Sequence, residues 1–310
     1  MSIEDYFRPL KRILLRSRQN VGNKALFDLA NKALVELKIH RLLQRSAYQT
    51  HLHDLENPAG FDRKRLTIGY PLEKAARKLK PRIIGDDLSK PILAMVCTGE
   101  NYARLVEIGT RTKSDYCRRH GYNMAIVEEQ IYRYNRHAAW LKIPLVFRLM
   151  QIGYERIFYV DADSVITNPE VSAQEFFDRL EAAGRHLMLA EDICSLNTGV
   201  FFMRNTWQSC VLLDLIYEWE AGDGHWEQGA LIGLIEQNPI VKSLLYLEPD
   251  SRRFHSMPFD RPLSLGLPSD CSPYAWQPGD FICHFAGPRN KQYLANKMKR
   301  ILETAGPGQS

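Results

Sequence analysis

The sequence predicts an α/β fold with a parallel sheet at its centre and a helical extension in front of it. Ile92–Cys97 and Ile157–Val160 are apolar throughout and of strand length, the pattern of strands buried on both faces. Asn123–Val127 has the same length, and the segment separating it from the first strand has helical periodicity and closes on Gly121. That β-loop-α-β order implies a right-handed crossover between parallel strands. Asp161-Ala162-Asp163 then falls where the Ile157–Val160 strand would emerge at its C-terminal end, the edge at which open α/β sheets bind ligands.

At 310 residues the chain can bury the core of one large domain plus an extension. The hydrophobic share of 45% and charged share of 25% are ordinary for a globular protein. A net charge of +5 and a pI near 8.8 suit anionic substrates or an anionic membrane surface. No apolar run approaches the roughly 18 residues of a spanning helix, and the N-terminus shows no secretory signal, so a cytoplasmic protein is expected. Cys97, Cys117, Cys194, Cys210, Cys271 and Cys283 show no CxxC spacing and read as reduced structural thiols, which argues against zinc or a disulfide framework. The glycine pattern matches neither the dinucleotide fingerprint nor a P-loop. The basic residues form no aromatic-interleaved stripe, so nucleic acid is a poor partner.

Residues 1–88 form a basic helical preface. Arg8, Lys11, Arg12, Arg16 and Arg18 alternate with Leu10, Ile13, Leu14 and Leu15, so residues 1–20 suit either a helix lying on an anionic membrane or a solvated helix with one packed face. Residues 23–45 keep helical periodicity. Pro81 and Pro91, with Gly85-Asp86-Asp87 between them, mark the boundary into a main domain over 89–310. After the Ile92–Cys97 strand, Thr98–Tyr102 reads as a polar loop and Ala103–Arg119 as a helix with Gly121 at C′. That loop is the expected nucleotide-binding edge, with Tyr102 placed to stack on a base. Pro144 fits the first turn of a helix reaching Met150. Ser172-x-x-Glu175 is a capping box ahead of another helix. Leu187–Ala190 is a short strand, and Asn197–Asn205 a polar-glycine turn leading into an apolar strand. Helices follow over 206–219 and 227–235. Asp280–Phe285 is a late strand ending at His284, before Gly287, Arg289 and Lys291, and a final amphipathic helix carries Leu294, Met298, Ile301 and Leu302.

The chemistry gathers at predicted strand ends: Asp161, Asp163, Asn197, Glu227, Gln228, His284 and Arg289. In extended backbone residues two apart share a face, so Asp161 and Asp163 can meet one hard cation, Mg²⁺ or Mn²⁺. A lone Asp-x-Asp also fits a solvated turn. The buried strand before it and Asn168-Pro169 behind it favour the metal. Gly287, just beyond His284, permits the close backbone approach that a ligand or phosphate contact needs.

The ordered blocks IFYVDADSVITNP, NTGVFFMRN, EQGALIGLI and HFAGPRNK, with DYCRRHGYN and WLKIP upstream, resemble family 34 of the glycosyltransferases, retaining galactosyl- and xylosyltransferases of yeast mannan and plant xyloglucan synthesis. The likeness runs from Pro91 to Lys299. It implies a GT-A fold (the Rossmann-like architecture of nucleotide-diphospho-sugar transferases), a UDP-sugar donor, Mn²⁺ (or Mg²⁺), and a glycan or glycolipid acceptor. By that resemblance Asp161, Asp163 and His284 hold the metal, and Arg289 stands where the family has a diphosphate-binding Lys, an exchange that keeps the charge. Cys97, Thr98, Tyr102, Lys142, Asp161, Ala162, Gly287 and Arg289 would line the nucleotide-sugar side. Asn197 and Gln228 would line the sugar pocket. Glu227 stands where the family usually has Asp, and Trp226 where an acidic residue is frequent. Glu227 or Asp192 would stabilise an oxocarbenium-like sugar, while the ion and Arg289 meet charge developing on the diphosphate. Retention implies same-face attack by the acceptor. Yeast and plant members are membrane-anchored, so a bacterial-type cytosolic enzyme of surface-glycan synthesis is the expectation here. The rival readings are another GT-A transferase, such as one like family 8, and a non-catalytic UDP-sugar-binding scaffold.

Overall fold

The structure, a computed structural model, describes residues 49–58, 68–128, 137–193, 195–219, 226–258, 272–286 and 291–305. The basic stretch 1–20, the periodic stretch 23–45, Cys194, Cys271, Gly287 and Arg289 lie outside the described residues. Seven strands form one sheet: β1 (Arg82–Ile84), β2 (Ile92–Val96), β3 (Asn123–Val127), β4 (Arg156–Val160), β6 (Leu187–Glu191), β7 (Leu196–Arg204) and β8 (Leu245–Leu247), in the order β1-β3-β2-β4-β7-β6-β8. β5 (Ser164–Ile166) and β9 (Ile282–His284) make a separate antiparallel ribbon.

The β3-β2-β4 centre is parallel, as the crossover predicts, and β8 is parallel to β6. β7 departs from the parallel expectation, since it runs antiparallel to both β4 and β6. Only 192–195 join β6 to β7, too few residues for a crossover helix, so the chain must return as a hairpin. Asn197-Thr198-Gly199 therefore lies inside β7 rather than in a turn ahead of it.

From residue 70 on, the helices among the described residues are α1 (Tyr70–Lys78), α2 (Glu100–Leu105), α3 (Glu107–His120), α4 (Lys142–Ile152), α5 (Ala173–Ala182), α6 (Trp207–Glu218), α7 (Trp226–Gln237), α8 (Pro239–Ser243) and α9 (Lys291–Ala305). Ser172 and Thr206 cap α5 and α6 by accepting from the backbone N–H of Gln174 and Ser209. Gly121 ends α3 at φ 64°, a left-handed position that glycine adopts without strain. The single helix expected over 103–119 starts earlier, at Glu100, and bends at Val106, so only Thr98 and Gly99 form the loop. The bend sets α3 against β5, where Gly109 lies so close that an added Cβ would sit 2.5 Å from the Ser164 carbonyl oxygen.

Alternate strand residues feed two cores, one on each face of the sheet. Ile92, Ala94, Ile157 and Tyr159 pack with residues of α1, α4, α6 and α7. Leu93, Met95, Phe158 and Val160 pack with residues of α3, α5 and α9. On the second face Phe158 and Phe202 stack with ring centroids 4.5 Å apart, and Phe176 lies 4.7 Å from Phe202.

Part of the sequence assigned to the preface is built into the body. β1 closes one edge of the sheet, and Leu72 and Ala76 of α1 are fully buried. Asp214 of α6, 1% exposed, ties this segment down: its Oδ2 accepts from the Gly69 N–H at 2.7 Å and lies 2.9 Å from His51 Nε2. No helix among the described residues is long and apolar enough to cross a membrane.

Two stability predictions follow from this packing. Asp214→Ala leaves the half-buried Gly69 donor and the buried His51 ring without their shared acceptor, and should cost about 2–4 kcal/mol, read as a lowered urea midpoint together with earlier proteolytic cleavage within 49–78. His186 hydrogen-bonds Thr206 at 2.9 Å, and burial, followed by the charges of Arg204 and Arg185, pushes its imidazole down from 6.5 to about 4. Its contribution is then full above about 6.5 and declines as pH falls toward about 4, because the unfolded chain takes up the proton first. His186→Gln should flatten the loss of thermal stability across that window, and an unchanged pH profile would show that another group governs it.

Candidate active site

Asp161 follows β4 directly, and its N–H donates to the Gly199 carbonyl of β7 at 2.7 Å. Ala162-Asp163 forms a turn, β5 begins at Ser164, and the Ser164 hydroxyl donates back to the Asp161 carbonyl at 2.5 Å. The carboxylates thus converge through a turn and not through strand alternation. Ser164 is paired with His284 across the β5–β9 ribbon, and the Phe285 N–H donates to the Asp163 carbonyl at 2.9 Å. This pairing places His284 Nε2 3.4 Å from Asp163 Oδ1 and 3.8 Å from Asp161 Oδ2. All three ligand atoms lie within 4.8 Å of one another. Two carboxylate oxygens and one imidazole nitrogen suit Mn²⁺, and the residues present fit such an ion.

The surroundings fix each donor. His284 Nδ1 lies 2.8 Å from Nε2 of His255, both rings being almost fully buried, so the nitrogen left facing the aspartates is Nε2. Burial opposes a charge on His284, but the hydrogen bond and charge of Asp163, with the charge of Asp161, outweigh it and raise the imidazole. The same pairing lowers Asp163 against its own burial. Burial, then the charge of His284, holds His255 well below the usual imidazole range.

Beneath the turn lies Lys113 of α3, 0% exposed. Its ammonium donates to the carbonyls of Ser164 (2.6 Å), Ala162 (3.3 Å) and Gly109 (3.3 Å). Burial pushes it down to about 8, while Asp163 and Asp161 pull the other way. Beside the turn, Lys142 of α4 is buried between two carboxylates: Nζ lies 3.3 Å from Asp161 Oδ1 and 2.9 Å from Glu227 Oε1, and donates to the Thr198 carbonyl at 3.1 Å. Burial opposes its charge as well, but Asp161 and Glu227 raise it. The Tyr159 hydroxyl donates to Asp161 Oδ1 at 2.8 Å, completing the cradle.

The sequence-derived candidates sort as follows. Glu227, a solvated helix start when read alone, is 3% exposed and accepts from the Thr198 hydroxyl at 3.0 Å. Gln228 Oε1 accepts from the Thr198 N–H at 3.3 Å. Asn197 donates to Asp192 Oδ2 at 2.7 Å and accepts from the Gly199 N–H at 2.6 Å; Ser195 N–H holds the other Asp192 oxygen at 3.1 Å. Lys142 lies between Asp161 and Glu227. Tyr102 lies on α2 and is within the field of the metal aspartates, because burial first, then Asp163 and Asp161, raises its phenol. The Cys97 thiol is buried, and burial pushes it up to about 11. Thr98 is half-buried beside it, and Ala162 is buried with its carbonyl on Lys113.

Lys113, His255, Tyr159 and Thr198 are not visible as site residues in the sequence. Gly199 did carry a signal, as the glycine of NTG. An added Cβ there would fall 2.1 Å from His284 Cε1 and 2.9 Å from Asn197 Oδ1, so the ring has its place only because residue 199 has no side chain. Gly199→Ala should displace His284 and weaken Mn²⁺ binding roughly 10–100-fold, measured as free Mn²⁺ by electron paramagnetic resonance. Undiminished binding would remove His284 from the ligand set.

Residues 90–183 and 178–294 match the galactosyl transferase GMA12/MNN10 family. The chain is 26% identical over 228 residues to the probable alpha-1,6-mannosyltransferase MNN10 of Saccharomyces cerevisiae, covering 58% of this chain and 54% of that one. It is 33% identical over 157 residues to probable glycosyltransferase 2 of Oryza sativa subsp. indica, covering 47% of this chain and 31% of that one. The chain thus spans 54% and 31% of the length of these relatives. A solved glycosyltransferase involved in the glycosylation of the major capsid of PBCV-1 superimposes with a TM-score of 0.52 at 15% identity, covering 68% of this chain and 98% of that one. That likeness shows the fold, which is GT-A. With the family match spanning β2 to β9, and with it the aspartate turn and the β9 histidine, the chain belongs to the galactosyl transferase GMA12/MNN10 family, family 34 of the glycosyltransferases.

Proposed function

We propose that the chain transfers a sugar, galactose or xylose by the family resemblance, from a UDP-sugar to a glycan or glycolipid acceptor. The observation that carries this reading is the convergence of Asp161, Asp163 and His284 at the edge where β4 ends. These three would hold Mn²⁺ or Mg²⁺, and the ion, when bound, supplies positive charge beside the departing diphosphate. The remaining work falls to the chain's own groups. Lys142 and Tyr159 hold Asp161 in one orientation. Lys142 also shares the charge of Glu227, whose Oε1 is taken up by Lys142 and Thr198.

Glu227 Oε2 is buried and has no hydrogen-bond partner among the described residues. Oε2 therefore keeps its lone pairs uncommitted while sealed from the surface, so Glu227 acts through its field. With its charge balanced by a buried ammonium, Glu227 is a poor covalent nucleophile and a better electrostatic stabiliser of a cationic sugar. Asp192 is engaged on both oxygens, by Asn197 and by the Ser195 N–H, and holds the β6–β7 hairpin in shape. This arrangement supports same-face attack with retained configuration.

Metal-dependent UDP release should be seen when UDP-Gal, UDP-Glc, UDP-Xyl and UDP-GlcNAc are screened by mass spectrometry with and without Mn²⁺. Asp163→Ala should abolish it, and Glu227→Gln should lower kcat by about 100-fold with little change in UDP affinity. Full activity in the Asp163 variant, or an inverted anomeric centre in the product by NMR, would overturn the respective part of this reading.

A further inference from the structure

We propose that Trp226, seated on His137, is a platform for a pyranose ring of the acceptor glycan; this rests on the transferase reading above and adds to it the subsite that receives the second substrate. Trp226 opens α7 with 44% of its surface exposed, next in the chain to the buried ion-pair partner Glu227. Its backbone is unusual. At φ 50° it is the single non-glycine residue with positive φ among the described residues. That region penalises any side chain with a Cβ, and a bulky aromatic in it marks a position where strain is tolerated for a reason.

The indole is held in place. Its ring lies over the His137 imidazole with centroids 4.0 Å apart and planes 12° from parallel. His137 is itself fixed, because its Nδ1 accepts from the Ala139 N–H at 3.2 Å and so caps the short 3-10 turn Ala138–Leu141. That turn runs directly into Lys142, and Trp226 directly precedes Glu227. The two stacked rings therefore stand at the outer ends of the two segments whose inner ends form the Lys142–Glu227 pair, 2.9 Å apart. Trp226 is thus joined to the Glu227 end of this ion-pair chain, whose other end is Asp161.

A pyranose ring has two kinds of surface, a flat face of C–H groups and an edge of hydroxyls. Trp226 offers the partner for the face, since polarised C–H groups pack well on an electron-rich indole. The hydroxyl edge is left to solvent and to polar groups of the rim, since Glu227 Oε2 is fully buried and, one position along the helix, does not face the indole. The donor's nucleotide is not the occupant, because the metal turn on the other side of Lys142 fixes where the diphosphate must lie.

Acceptor kinetics and direct binding test this together, with cellotetraose and α-1,6-mannotriose as the saccharide probes. Trp226→Ala should raise the acceptor KM at least tenfold while kcat changes less than threefold. Trp226→Phe should keep the KM within about threefold, and His137→Ala should raise it by less than Trp226→Ala does. In the unmutated chain labelled with 5-fluorotryptophan, the Trp226 ¹⁹F resonance, assigned by its loss in Trp226→Phe, should shift on adding one of the two saccharides. A Trp226→Ala acceptor KM within twofold of the parent, or a ¹⁹F resonance that neither saccharide moves, would overturn the proposal. A parent chain that releases no UDP from any donor would sink the transferase reading instead, and the ¹⁹F titration would still decide whether Trp226 meets a sugar.

Discussion

The pairing of β5 with β9 is the constraint on which the site depends. β5 is three residues long and follows the aspartate turn at once, and β9 arrives from far along the chain with its histidine at the end. Their register, Ser164 opposite His284, decides whether the imidazole meets the carboxylates. A slip of one residue would turn His284 to the other side of the ribbon and bring Cys283 in its place. Backbone bonds on both flanks guard against that slip: the His284 N–H donates to the Ser256 carbonyl at 2.8 Å, and the Phe285 N–H to Asp163. The ribbon is too short to be stable alone. It persists because Val165, Ile166 and Ile282 are buried in the same core as α3 and α5.

Two buried lysines serve the aspartate turn in different ways. Lys113 has carbonyl oxygens as its hydrogen-bond partners, so it shapes the backbone of the turn and places positive charge below it. Lys142 touches carboxylates, and its charge is balanced by Asp161 and Glu227. The first is pushed down because burial outweighs the charges of Asp163 and Asp161, while the second is raised because its carboxylate partners outweigh burial. Two buried ammoniums in one site thus differ by their partners and not by their depth. The difference suits their tasks: a turn needs donors, and a carboxylate that must keep one orientation needs a counter-ion.

How much of this could be read from the sequence depends on how local the information is. Strands β2, β3 and β4 announce themselves through apolar runs, and the capping residues Ser172, Thr206 and Gly121 announce the helix ends. Asp161, Asp163 and His284 were legible as ligand types at strand termini. Their convergence was read for the wrong local reason, because a turn, not an extended segment, brings the aspartates together. Lys113 lies in TKSDYC, a stretch with the look of a solvated helix face. It is buried because α3 lies over β5, a contact that no periodicity encodes. The antiparallel sense of β7 was hidden in the same way, since an apolar run carries no direction, although the four-residue link ahead of it did. His255 has no motif of its own and acquires a role only when β9 folds beside it.

The reversed direction of β7 has an evolutionary consequence. Because Val160, the last residue of β4, pairs with Val200 and the Asp161 N–H with Gly199, the start of β7 and the link from β6 reach past the end of β4 beside the aspartate turn. That hairpin is four residues long and belongs to neither the ribbon nor the lysine cradle. Length changes within that link leave the β5–β9 register untouched, so one rim of the candidate site can be reshaped while Asp161, Asp163 and His284 stay converged.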